Sequence, residues 1–240
     1  MNNPVNRIDP SGLDSYVFYD PNMFKDKDGV QKTQEQIEKE LNDYYYGGED
    51  KTHVIAIVDQ YDADGNLIMT AAEYFVHKFN QIGRNGESIE AVVLNFHMNY
   101  NVIGFRTADN WEVSGSRLWL TDSGIKGNTH MGQINNTRAM DALVLLGCSP
   151  ANTAGDDNLA NSFTKKTNAN MVIGADGKLW GHKKTGLAWA WPPIQSYTSI
   201  RVDADPVGFK VYWKGVGTPK GIGTKFKGIG ALLDAAYAVR

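Results

Sequence analysis

The 240-residue chain has a single cysteine, Cys148. One thiol excludes an internal disulfide framework and any zinc site built from several thiolates, including the clustered cysteines of the nucleobase deaminases. Histidine is scarce too, with five copies. EYFVH (residues 73–77) is not the metalloprotease HExxH, because only one histidine lies on that helical face. No apolar run approaches the roughly 18 residues of a bilayer span, and no signal-peptide pattern opens the sequence. No internal repeat is long enough to suggest a solenoid.

What remains is a composition of 42% hydrophobic and 21% charged residues, that of a globular domain. The length suits one large domain or two small ones, and a chain of this size buries roughly 70–75% of its unfolded surface. The net charge of −3 is unevenly spread. Residues 181–240 carry a net +6 (9 basic against 3 acidic), and residues 1–180 carry −9 (15 against 24). A basic, glycine-rich tail can balance its own domain, or engage nucleic acid or an anionic membrane.

NNPVNRIDPSGL, at residues 2–13, is dense in turn formers and has no periodic apolar face. A first helix is expected in TQEQIEKELNDYYYGG, where Thr33 and Gln36 form a capping box and Ile37, Leu41 and Tyr44 share a face. THVIAIVDQY predicts a buried strand, and YDADGNLIM a hairpin. Aligned as a calcium loop on Gly65, DQYDADGN has Gln60 first and Ala71 twelfth, so the bidentate carboxylate is missing. A second capping box, Thr70 with Glu73, starts a helix through Phe75, Phe79 and Ile82 that Gly83 ends.

IEAVVLNFH predicts a second buried strand ending on His97. Short strands and loops are expected over 99–140, with a short helix in INNTRAMDA. ALVLLGC predicts a third buried strand ending on Cys148. A helix in DDNLANSFTKKTN with Leu159 and Phe163 inward, and a strand in NMVIGADGKLWG with an Asp-Gly turn, complete the alternation. Strand and helix alternating in this way predict an α/β fold: a mainly parallel sheet flanked by helices, with its core at about 53–180. The tail from 183 reads as less regular, with a strand-like FKVYW and a final helix LLDAAYAVR. GIGTKFKGIG lacks the Gly-Lys-Ser/Thr ending of a phosphate loop and reads as a loop.

Sites in parallel sheets form at the carboxyl ends of the strands, where His97 and Cys148 both stand. Their separation of 51 residues is enough for a crossover to a neighbouring strand. A catalytic cysteine needs a base or a positive field beside it, and backbone N–H groups following Cys148 are placed to hold an oxyanion. The competing reading is a small buried hydrophobe. His130, in the GNTHMGQ loop, is the rival base; His53, His77 and His182 read as structural or surface residues. Asp156 and Asp157 either cap the helix that follows or face a basic substrate group.

Two resemblances follow from these residues. NNPVNRIDPSGL resembles the end of the Rhs (YD-repeat) core, where an Asn-Pro, a spacer and Asp-Pro-x-Gly-Leu close a shell around a variable C-terminal toxin. That resemblance implies autocleavage between Leu13 and Asp14, releasing 14–240 as the effector domain, with residues 1–13 the end of the core. It further implies enclosure by the Rhs shell, delivery into a target cell by a secretion system, and a cognate immunity protein.

AVVLNFH, LVLLGCSPANT, NLANSF and NMVIGADG resemble the caspase-like fold of clan CD cysteine peptidases, in which a strand ending in the catalytic histidine precedes one ending in the catalytic cysteine. Carried over, His97 is the general base or acid and Cys148 the nucleophile, with the backbone N–H groups of Cys148 and Met98 forming the oxyanion hole. Met98 departs from the pattern, which has glycine directly after the histidine. The implied activity is that of a cysteine endopeptidase acting on a protein in the target cell, with no metal or other cofactor. The alternatives are a non-proteolytic toxin binding a membrane or nucleic acid through Lys220, Lys225 and Lys227, or another thiol-dependent enzyme.

Overall fold

The computed structural model describes residues 14–24, 26, 28–41, 52–84, 88–105, 115–153, 157–182, 187–191 and 208–240. The segment 1–13, with its NNPVNRIDPSGL motif and Leu13, lies outside the described residues, as does Asp156.

A mainly parallel seven-stranded sheet flanked by helices organises the chain. Its strands are β1 (Asp14–Tyr19), β2 (Thr52–Ala56), β5 (Ile89–Asn95), β10 (Ala139–Leu146), β11 (Asn168–Ala175), β14 (Phe209–Trp213) and β15 (Lys220–Gly223), in the order β15-β14-β11-β10-β5-β1-β2. The strands from β2 to β11 are parallel, and β14 pairs antiparallel to both β11 and β15. Continuous apolar runs suit strands covered on both faces. Val92, Leu94, Leu143 and Leu145 pack on one side, and Val93, Ala142, Val144 and Leu146 on the other.

The first side is covered by α2 (Ala71–Phe79) and α3 (Leu159–Lys166), the second by α1 (Gln34–Leu41) and α4 (Gly228–Ala238). Both capping boxes form. Thr33 and Gln36 exchange bonds of 2.9 and 3.3 Å ahead of α1, and Thr70 and Glu73 exchange bonds of 2.8 and 3.3 Å ahead of α2. Each box satisfies two N–H groups that a helix start leaves unpaired. Leu159 and Phe163 point inward from α3 as their spacing requires.

Between α1 and α2 lies the hairpin β3 (Gln60–Tyr61) and β4 (Leu67–Met69). Asp62 accepts from the backbone of Asp64 and Asn66 and from the Asn66 amide, and those bonds to Asn66 hold its carboxyl below the usual range. Gly65 sits at φ +81°, a left-handed turn position, so DQYDADGN is a turn built on its own side chains.

Several elements differ from the sequence-based expectations. DSYVFY, read as no element, is the strand between β2 and β5, so the sheet begins well before residue 53. No helix forms in INNTRAMDA: residues 134–138 are loop, and β10 starts at Ala139 because Asn136 is buried and its amide bonds the carbonyls of Phe79 and Ile82. GIGTKFKGIG is not a loop but supplies β15 and β16 (Lys225–Lys227). The latter joins β12 (Lys178–His182) and β13 (Leu187–Trp191) in a small antiparallel sheet.

Candidate active site

The register of the central strands decides what meets at the carboxyl edge. β5 and β10 are adjacent and parallel, with Leu94 opposite Leu145 and Asn95 opposite Leu146. Two residues further on, the first chain reaches His97 and the second reaches Cys148. Both are half-buried. The strands therefore carry the ends of the apolar runs AVVLNFH and LVLLGC to one edge of the sheet, with the last paired residues, Asn95 and Leu146, two short of His97 and Cys148.

His97 does not close β5. The chain turns at Phe96, which is buried, and His97 opens β6 (His97–Asn99), the first strand of a four-stranded sheet with β7 (Val102–Gly104), β8 (Arg117–Trp119) and β9 (Thr129–His130). His97 thus stands at the junction of two sheets, with its backbone paired opposite Gly104. Met98, buried beside it, lies over the other strand end. A Cβ added to Gly147 would stand 2.4 Å from Met98 Cγ and 2.6 Å from Met98 Cβ. Glycine is needed before Cys148 so that the His97–Met98 segment can close on it.

After Cys148 the backbone turns sharply. Ser149 adopts φ +57°, a left-handed conformation uncommon for a non-glycine residue. The N–H groups here are not free to hold an oxyanion, contrary to the expectation from the sequence. Ser149 donates to the Gly177 carbonyl at 2.8 Å, Pro150 has no N–H, Ala151 donates to the Ala175 carbonyl at 3.0 Å and Asn152 to the Ser149 carbonyl at 3.1 Å. These groups hold the loop on β11, because a buried N–H left unpaired is costly.

The rival base is placed elsewhere. His130 caps the 3-10 turn Met131–Gln133: its Nδ1 accepts from the Gly132 N–H at 3.2 Å, and its own N–H donates to Gln133 Oε1 at 3.3 Å. It belongs to β9, three strands across the small sheet from β6. His53 stacks on Tyr16 at 4.7 Å near Asp14, at the amino end of the sheet, and His77 pairs with Gln81 on the surface of α2.

Asp157 does not cap α3 itself. The cap is Asn158, which accepts from the Asn161 N–H at 2.9 Å, while Asp157 braces it through the Asn158 N–H, Asn161 and Ser162. Tyr212 reaches the same loop from β14, accepting from Asn158 at 2.9 Å and donating to the Ala151 carbonyl. Burial, reinforced by Asp176 and Asp157 against the opposing Asn158 bond, pushes its phenol up to about 12, so it stays a donor at neutral pH.

A polar cleft of about 380 Å³, lined by Asn80, Arg84, Asn135, Asn136, Thr137 and Arg138, lies at the opposite, amino end of β10. Among the described residues no three His, Cys, Asp or Glu side chains cluster as metal ligands, and no helix is long and apolar enough to cross a membrane.

No family model and no curated protein matches the sequence. Among solved structures, the chain is similar to a secreted C11 cysteine protease from Bacteroides thetaiotaomicron in complex with an irreversible peptide inhibitor. The identity is 12% and the TM-score 0.37, over 70% of this chain and 49% of that one. A second structure of a secreted C11 cysteine protease from that organism, "iotapain", aligns at 12% identity and a TM-score of 0.35, over 70% and 54%. The chain spans about half the length of each. At that degree of overlap the site stands on its own geometry.

Proposed function

We propose that this chain is a cysteine endopeptidase in which His97 and Cys148 form the catalytic dyad. The observation that supports the reading is the register of β5 and β10, whose last pair, Asn95 opposite Leu146, lies two residues before His97 and Cys148, together with the close approach of Met98 to Gly147. In the first step Cys148 gives its proton to His97, and the thiolate attacks the scissile carbonyl carbon. The C–N bond breaks as the imidazolium returns that proton to the departing amine, leaving a thioester. Water, deprotonated by His97, then releases the acid and regenerates the thiol. With the N–H groups of Ser149 and Ala151 engaged, the oxyanion falls to the N–H groups of Cys148 and Met98.

The biological setting follows the leader motif: an Rhs-type effector, enclosed in its shell, delivered into a target cell, acting on a protein there and held in check by an immunity protein. Of the lysines of the basic tail, Lys210 is buried in an ion pair, Lys214 bonds Asn168 and Lys220 bonds the Val239 carbonyl.

The test is to express residues 14–240 as wild type and as Cys148→Ala in a sensitive cell, scoring growth and mapping new protein N-termini. Only the wild type should kill, with new N-termini sharing one preceding residue type. Equal killing by both forms would sink the peptidase reading. A finer variant probes the junction. Gly147→Ala should cost about 1–3 kcal/mol in thermal unfolding through overpacking against Met98. By moving the two strand ends apart it should also reduce cleavage about 100-fold. Cleavage at the wild-type rate would mean that Met98 does not set the spacing.

A further inference from the structure

We infer that the buried ion pair Asp176–Lys210 is a positioning device for the loop that presents Cys148, a role that rests on the dyad reading above. Asp176 follows β11 and Lys210 lies in β14; they are 3% and 5% exposed, and Lys210 Nζ stands 2.7 Å from Asp176 Oδ2. Replacing such a pair by apolar side chains is commonly neutral or stabilising, so the stability of the sheet does not call for it. Its bonds point instead at the residues after the thiol. Lys210 donates to Thr153 Oγ1 at 3.0 Å, the Thr153 N–H donates to Asp176 Oδ1 at 3.3 Å, and the Asn152 amide donates to the Asp176 carbonyl at 3.1 Å.

From the other side, Asn158 donates to the Asn152 carbonyl at 3.2 Å and the Ala160 N–H donates to the Pro150 carbonyl at 3.1 Å. Residues 149–153 are therefore gripped between β11, β14 and the start of α3, and these bonds add to the two that Ser149 itself makes, to the Gly177 carbonyl and from the Asn152 N–H, in holding its left-handed conformation. A charge-assisted bond is shorter and roughly twice as strong as a neutral one, so the pair holds Thr153 more firmly than neutral side chains would.

Two variants of the full chain separate positioning from folding. Asp176→Asn with Lys210→Met removes both charges, so that no buried charge is left alone. Thr153→Val, at an exposed position, cuts only the bond from Lys210 to the loop. With one cysteine in the chain, iodoacetamide reports on Cys148 alone. Both variants should melt cooperatively near the wild-type temperature. Alkylation should rise about ten-fold in the double variant and about three-fold in Thr153→Val as the half-buried thiol gains access. Peptide cleavage should lose about ten-fold in kcat in the double variant with KM nearly unchanged.

Wild-type alkylation rates in both would overturn the proposal. Should the double variant fail to fold, Thr153→Val decides alone. Faster alkylation combined with a wild type that cleaves no peptide would leave the positioning role standing and remove only the peptidase reading.

Discussion

Substituting His97 with glutamine is expected to slow peptide-bond cleavage by about 10²–10⁴-fold, the range for losing a positioned acid and base. Glutamine keeps a polar, hydrogen-bonding side chain of similar reach at the start of β6 but cannot carry a proton between Cys148 and the leaving amine. The loss should fall on kcat, because proton transfer matters in the transition state more than in binding. His130→Gln supplies the contrast. His130 caps a 3-10 turn through Nδ1, so its replacement should cost a cap and leave kcat nearly unchanged. A fully active His97→Gln beside an inactive His130→Gln would move the base to the other sheet and overturn the dyad assignment.

Phe75→Ala should be the most damaging single change to stability, lowering the free energy of unfolding by about 3–5 kcal/mol in denaturant titrations. Phe75 is fully buried, and its ring meets those of Phe18, Phe79, Phe96 and Phe105 at centroid distances of 5.6, 5.5, 5.8 and 5.3 Å. Such rings add edge-to-face attraction to the apolar area they bury, and a five-ring cluster cannot collapse around the cavity that alanine leaves. The cluster joins α2 to β1 and to both sheets, and Phe96 immediately precedes His97. Loss of stability should therefore travel with loss of activity well below the unfolding temperature. A change under about 1 kcal/mol would mean that the rings repack, and that α2 is not what holds the turn at Phe96.

The sequence made the α/β class plain because buried parallel strands are continuous apolar runs, and AVVLNFH and LVLLGC are such runs. It also placed α2 through Thr70 and Glu73, a capping signal carried entirely by local residues. Less local features did not show. DSYVFY has the aromatic and β-branched content of a strand, but it follows a turn-rich leader and makes sense only once β2 and β5 flank it. The hold on the Ser149 and Ala151 N–H groups depends on the ends of β11, and the pairing of Asp176 with Lys210 depends on the antiparallel register of β14. Neither leaves a trace in spacing. The turn at Phe96 that moves His97 onto a second sheet is set by tertiary packing, which overrides the continuous run that predicted one strand through residue 97.

The place of β1 in the sheet has a consequence for how the protein is made. Asp14–Tyr19 leaves the ribosome before either strand that pairs with it, since Thr52–Ala56 and Ile89–Asn95 are translated later. Until then a run of Tyr16, Val17, Phe18 and Tyr19 has two unpaired edges and two apolar faces, the form in which a nascent chain associates with others of its kind. Loop closures over such separations also make parallel sheets slow to assemble. Keeping each newly made copy apart from the next during that interval is therefore a physical requirement of this topology.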